Sequence, residues 1–312
     1  MTLSLLLDKY IEHKNLKAST AKNYRVKFNQ GFADWATKPI NQITRDMVLM
    51  RQKSLTGTAI TRDNKMRILR LLLKYAVAIK AMPESPTDVL RDAGLWSKAR
   101  RKTRIISSDS LMVWYKAVIE LDSPRARAYL LMLLYTGLRS SEALSLKWKD
   151  VDFKNATLVV RYTKNHSDFV TYIPKQLMAH LKVVQEETGN NEYVFSGFGK
   201  NGVMDTPRWH IDLIIKKTDI KFSSHDLRRT FATIAEAVLL PETIIKRLLN
   251  HTTDNNVTTG YIRTESNTLC QAIERIAAYI EGRVSNPNNP LKEPSAIDSK
   301  IESSHSESSV FS

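Results

Sequence analysis

The chain of 312 residues is 42% hydrophobic and 25% charged, which fits a soluble globular protein of two domains. Its one cysteine, Cys270, excludes a disulfide framework and a cysteine-based zinc site, and no apolar run approaches the roughly 20 residues of a membrane-spanning helix. A net charge of +15 points to a polyanionic partner, of which nucleic acid is the commonest.

That charge is concentrated. Residues 1–104 hold 22 Lys and Arg against 8 Asp and Glu, residues 105–284 hold 23 against 20, and residues 285–312 hold 2 against 4. A single-sign field on the first third is the footprint of a nucleic-acid-binding domain, although an inert basic surface gives the same count. The opening MTLSLLLDKYIEHK reads as an amphipathic helix. It lacks the basic n-region and small-residue cleavage site of a signal peptide, so a reducing, cytoplasmic setting is expected.

STAKNYRVKFNQGFADWA predicts a second helix, with Ser19 as N-cap and Tyr24, Phe28 and Trp35 at helical spacing. TRDMVLMRQK predicts a short third, and TAITRDNKMRILRLLLKYAVAIK a long fourth. In the fourth, Ile68, Leu72, Ala76 and Ile79 form a core stripe, while Arg67, Arg70 and Lys74 share the opposite face at about 100° per residue. Such a face can lie along DNA phosphates or be simply solvated. Two prolines in AMPESPTDVL end the helices. SKARRKTRI then packs Lys98, Arg100, Arg101, Lys102 and Arg104 into a connector that suits a phosphate backbone or a solvated hinge.

Beyond it, SSDSLMVWYKAVIEL and PRARAYLLMLLYTG are helical, and ATLVVRY and FVTYIP bracket the turn TKNHSD as a β-hairpin. Further helices run to about Arg283. The expected organisation is a helical domain over 1–96, a basic linker over 97–106, a second domain over 107–284, and a tail over 285–312. The tail, with nine serines in 28 residues, is expected to be disordered. The fold class is mainly α with a small β-sheet, the sheet belonging to an α+β second domain.

Several residues in the second domain suit phosphate chemistry. In YTGLRSSEALSLKW, Gly137 makes a turn and Arg139 opens a helix, where free N–H groups and a planar guanidinium both favour an anion. Glu142 can buttress it, although Arg and Glu at i, i+3 are also an ordinary helix pair. In SSHDLRRTFATIAEAVLL, Leu227, Phe231, Ile234 and Val238 form a buried stripe. His225 and Arg228 lie about 60° apart on the other side near a serine-capped N-terminus, and Arg229 reads as a surface charge. In PETIIKRLLNH, Asn250 closes the helix that Pro241 starts, and His251 follows it. A polar segment then leads to Tyr261, where little surrounds the ring that could bury it.

Arginine, histidine, arginine, histidine and tyrosine in this order, with a hairpin lysine, resemble the tyrosine recombinases, or bacteriophage integrase family. The motifs that carry the resemblance are TGLRSSEALSLKWKDVD, TKNHSDFVTYIP, HDLRRTFAT, and LLNH followed by GYI, within residues 3–283. The resemblance implies a two-domain, C-shaped DNA clamp made of a helical core-type DNA-binding domain and a catalytic domain. It assigns Arg139 and Arg228 as catalytic arginines, Lys164 as the hairpin lysine, His225 and His251 as the histidines, Tyr261 as the nucleophile and Glu142 as the supporting acid. It leaves Arg67, Arg70, Lys74, Arg100, Arg101 and Lys102 as DNA-binding candidates.

The same resemblance implies a bacterial or phage-encoded protein that breaks and rejoins DNA without metal, ATP or other cofactor. It also implies a tetramer on two double-stranded recombination sites, with accessory DNA-bending factors as further partners. A C-terminal helix, here NTLCQAIERIAAYIEGRV with Leu269, Ile273, Ala277 and Ile280 on one stripe, would dock into a neighbour or pack within its own chain. Because core-type helices begin at residue 3, the extra N-terminal domain of many phage integrases is expected to be absent. Two departures stand out. Asn250 replaces the usual glycine, and the His251–Tyr261 spacing is ten positions where nine is common. A non-catalytic DNA-binding regulator on the same fold and a type IB-like topoisomerase remain alternatives.

Overall fold

The computed structural model describes residues 1–98, 103–161, 168–251 and 266–286. The chain divides into two compact units, Met1–Lys102 and Thr103–Ser312.

The first unit is helical: α1 (Leu3–His13), α2 (Ala18–Phe32), α3 (Arg45–Ser54), α4 (Ala59–Ala78) and the single turn α5 (Val89–Asp92). Threonine hydroxyls start three of these helices. Thr2, Thr44 and Thr58 accept the backbone N–H groups of Leu5, Met47 and Thr61, satisfying donors that a helix start leaves free. The core comes from Leu3, Leu6 and Leu7 of α1, Phe28 and Phe32 of α2, Val48 of α3, and Met66, Leu69, Leu72 and Leu73 of α4.

Three local expectations need correction. Ser19 does not cap α2: the N-cap is Lys17, two residues earlier, with no side-chain cap. Asn15 turns left-handed (φ 44°) right after α1, so the chain enters α2 sooner. Trp35 is buried, as its spacing suggested, but sits on a separate 3-10 turn (Ala33–Trp35), because Phe32 leaves helical geometry at φ −146°. Ile79 closes α4 rather than extending its stripe, and is 39% exposed.

The second unit is built around α7 (Pro124–Thr136), in which every residue from Ala128 to Thr136 is buried. A helix apolar on all sides has to be surrounded. Here α9 (Lys175–Thr188) and α11 (Ser224–Ala237) cover it, with α6 (Ser108–Ile119) and α13 (Ser266–Ser285) also packing against it. The short α8 (Ser140–Leu144) follows α7; α10 (Arg208–Thr218) and α12 (Glu242–Leu248) complete the shell. Ala272, Ile273, Ile276, Ala277 and Ile280 of α13 enter the core of their own chain.

The expected hairpin is present as β2 (Thr157–Val160) and β3 (Phe169–Tyr172), antiparallel, with Thr157 opposite Tyr172 and Val160 opposite Phe169. A two-residue strand, β1 (Val151–Asp152), pairs with the other side of β2, giving the order β1-β2-β3. Two residues are too few for an alternation to be read from sequence. Among the described residues, no helix is long and apolar enough to cross a membrane.

Candidate active site

The site begins at the C-terminus of α7. Gly137 adopts φ +64°, and a Cβ there would lie 2.5 Å from a ring carbon of Phe231. Glycine therefore serves twice, for the left-handed turn and for the close approach of α11. The turn delivers Arg139 to the N-cap of α8. Glu142, almost fully buried, accepts the Arg139 backbone N–H at 2.9 Å on Oε2 and its guanidinium at 2.7 Å on Oε1. One carboxylate thus fixes both ends of the arginine, which retains partial solvent access.

Arg228 corrects the expectation that it lies away from the core. It is 6% exposed, and its two terminal nitrogens donate to the carbonyls of Gly137 (2.6 Å) and Leu249 (2.5 Å). The guanidinium ties α11 to the turn after α7 and to the end of α12. That end is a Schellman closure: Asn250 is left-handed (φ 46°), its N–H donates to Arg247 O, and the His251 N–H donates to Lys246 O, both at 2.9 Å. Asparagine thus does here what glycine commonly does. His251 emerges exposed beyond it, and His225 is exposed on the first turn of α11.

Arg139, Arg228, His225 and His251 share one electrostatic environment. Partial desolvation, then the Arg228 and Arg139 charges and Lys246, hold the His251 imidazole below its ordinary value. Desolvation, Arg229, Arg228 and Arg139 do the same to His225, against an opposing pull from Asp226. Burial first, then Arg139, bring the Arg228 guanidinium down to about 10, with Glu142 opposing, so it stays charged at neutral pH. The result is two cations, one fixed by buried carbonyls and one by a buried carboxylate, beside two neutral imidazoles. Such a set can neutralise a phosphate's non-bridging oxygens and accept or relay a proton.

The sequence reading missed supporting groups. Asp226, 1% exposed, accepts Ser223 Oγ (2.8 Å) and ion-pairs with both Arg104 (2.7 Å) and Arg229. Arg229 is therefore half-buried and paired rather than a free surface charge. Ser223 bonds to Asp226 instead of capping the helix backbone. Arg104, expected among the connector's phosphate-facing residues, is bound to α11. Tyr129, buried within α7, joins Ser140 (2.7 Å) and Ser224 (3.2 Å), the first residues of α8 and α11. A tyrosine in an apolar helix gave no signal of this in the sequence.

Lys164 and Tyr261 lie outside the described residues, as do Arg100, Arg101 and Lys102. Arg67, Arg70 and Lys74 belong to the first unit, on the outer face of α4. Lys74 is paired with Asp88 (2.7 Å), and the Arg67 guanidinium stands over the Trp96 ring at 5.9 Å. Among the described residues no cluster of three or more His, Cys, Asp or Glu could hold a metal ion.

The sequence pattern of the phage integrase family matches residues 107–267, more than half of the chain. Prophage integrase IntF of Escherichia coli (strain K12) is 27% identical over 256 residues, covering 78% of this chain and 54% of the relative. Tyrosine recombinase XerA of Pyrococcus furiosus is 34% identical over 163 residues, covering 51% and 57%. The chain thus spans little more than half the length of these curated relatives. In fold, it is similar to a lambda integrase dimer bound to a COC′ core site, with a TM-score of 0.66 at 18% identity over 85% of this chain and all of that one. It is likewise similar to the Tn1549 transposon integrase in complex with circular intermediate DNA, with a TM-score of 0.63 at 17% identity over 87% and 98%. The matched sequence pattern, running from α6 through both arginine-bearing segments, establishes that the chain belongs to the phage integrase family of tyrosine recombinases.

Proposed function

We propose that the protein is a site-specific DNA recombinase that cuts and rejoins duplex DNA through a 3′-phosphotyrosyl link, in the integration or excision of a mobile element. The observation that carries this reading is the buried, doubly anchored Arg228 guanidinium beside the carboxylate-fixed Arg139 and two neutral imidazoles. A phosphodiester resists attack because its oxygens are negative. Two preorganised guanidiniums lower that barrier as charge builds on phosphorus.

Tyr261 Oη attacks phosphorus and its proton passes to a neutral imidazole, His251 or His225. The bond to the 5′-oxygen breaks, and that oxygen takes a proton from the Lys164 ammonium. The phosphotyrosyl bond keeps the energy of the broken diester, so a 5′-hydroxyl from a second strand can reverse the step without ATP. The arginines supply the charge neutralisation that a divalent metal supplies in other nucleases.

Double-stranded recombination sites are the proposed substrate. A tetramer on two sites is the proposed assembly, with DNA-bending proteins as accessory partners. Arg67, Arg70, Arg100, Arg101 and Lys102 are proposed to face phosphates, and Lys74 does so only if it leaves Asp88.

A nicked duplex carrying the binding-selected target site tests the reading, because the fragment beyond the nick diffuses away and traps the adduct. Wild type is expected to form a covalent protein–DNA species that resists denaturation and survives EDTA, and Tyr261→Phe to form none. An adduct that persists in Tyr261→Phe would sink the assignment.

A further inference from the structure

We propose that Tyr129 is a positioning residue for Arg139, its buried hydroxyl tying the first residue of α8 to the first residue of α11. Tyr129 is fully buried in α7, and its ring stands edge-on to Phe195 with centroids 5.7 Å apart. One phenolic proton cannot serve two bonds. Tyr129 donates to Ser224 Oγ (3.2 Å), so the Ser140 hydroxyl donates to Tyr129 Oη (2.7 Å). Ser140 directly follows Arg139, and Ser224 directly precedes His225. The phenol therefore joins the two backbone segments that present Arg139 and the His225–Arg228 pair.

The tie matters because α8 has five residues, too few to hold its place by helical bonds alone. Glu142 grips the Arg139 guanidinium, but it belongs to α8 itself and moves with it. The arginine is fixed against the rest of the site from the two ends of a short stretch. On one side, the Gly137 carbonyl receives Arg228 of α11. On the other, Ser140 bonds to Tyr129. Without the second tie, α8 can pivot about Gly137, and the guanidinium loses its fixed place although every site residue is present. A misplacement of about 1 Å is enough to slow a reaction that depends on preorganised charge.

This assignment rests on the reading of Arg139 as a guanidinium that neutralises a non-bridging oxygen of the scissile phosphate, and that reading supplies the readout. A methylphosphonate carries a methyl group in place of one non-bridging oxygen and has no charge. Where the missing oxygen is the one Arg139 serves, the placement of Arg139 no longer limits the rate. Tyr129→Phe removes only the hydroxyl. Leu138 and Ala143 are buried on either side of Arg139, so the fold is spared. With protein saturating on the nicked duplex, Tyr129→Phe is expected to form the adduct about three- to tenfold more slowly at unchanged DNA affinity, the scale of one buried neutral hydrogen bond. On one methylphosphonate diastereomer it is expected to match wild type.

Ser140→Ala, which opens the same tie from the α8 side, should show the same split. Tyr129→Phe/Ser140→Ala should be no slower than either single variant. Arg139→Ala is the reference, strongly impaired on the phosphate duplex and restored on that diastereomer. Suppose Arg139→Ala is restored, but Tyr129→Phe and Ser140→Ala are as fast as wild type on phosphate, equally slow on both substrates, or weakened only in affinity. The positioning role is then overturned while the arginine's role stands. If neither diastereomer restores Arg139→Ala, the charge-neutralising reading itself fails, and the positioning role with it.

Discussion

Arg228 concentrates most of what the site requires. Its guanidinium replaces water for two buried carbonyls, so Arg228→Ala strands both. A loss of roughly 2–5 kcal/mol in stability is expected, read from urea denaturation, along with loss of the covalent adduct. Arg228→Lys keeps a charge but cannot span Gly137 O and Leu249 O while facing a phosphate. Adduct formation should fall on the order of 100-fold or more, with a smaller change in stability. The two histidines carry a pH signature. Both are held below 6.5 in the folded protein, so between the folded and unfolded values the unfolded chain binds more protons. Their contribution to stability is complete above about pH 6.5 and is lost as pH falls through the folded values. His180 and His210 are lowered too, by burial, so the protein should lose stability between pH 7.5 and 5. His225→Gln/His251→Gln should lose less over that range, as measured by the shift in denaturation midpoint.

The elements meet at backbone turns, and the turns are where substitutions discriminate. Gly137→Ala forces a side chain into both a left-handed backbone and the Phe231 ring. It is expected to cost about 2–4 kcal/mol and to move the carbonyl that receives Arg228. Asn250 adopts the same left-handed geometry. Asn250→Val, β-branched in a left-handed turn, should lower the thermal midpoint more than Asn250→Gly. A fall on Asn250→Gly as large as that on Asn250→Val would refute the backbone explanation. The helix α13 was open to two readings from its stripe. Here Ile273, Ile276, Ala277 and Ile280 lie buried within their own chain, with Tyr279 hydroxyl 2.9 Å from Ser108 Oγ.

For the whole molecule, the decisive quantity is the dependence of DNA binding on salt. Each phosphate contact releases counterions, so removing one lowers the slope of log affinity against log salt by about one. Arg67→Ala and Arg70→Ala are expected to lower it in this way. Lys74→Ala should lower it less, because Lys74 already neutralises Asp88. Fluorescence anisotropy with a labelled duplex over a salt series measures this, and equal slopes for all three variants would remove the distinction. Much of the fold was legible because its signals are local. Apolar stripes marked α4, α11 and α13, and alternation marked β2 and β3, whereas the serines read as helix caps at Ser19 and before α11 do not cap. The exceptions were also local in origin: Phe32 breaking α2 before Trp35, and β1 being too short to show a period.

The sequence by itself determined the two-part distribution of charge, the helical framework with one hairpin, and the ordered set of Arg139, His225, Arg228 and His251. Each of these depends on residue type and on spacing along a single element. Only the tertiary structure decided which side chains are free and which are held. Periodicity placed Arg228 opposite a buried stripe. It is buried nonetheless because carbonyls 91 and 21 residues away close over it. Likewise Arg229 and Arg104 looked like solvated charges until Asp226 was found between them. Burial of a charge depends on what the rest of the chain brings to it, and no window of local sequence contains that information.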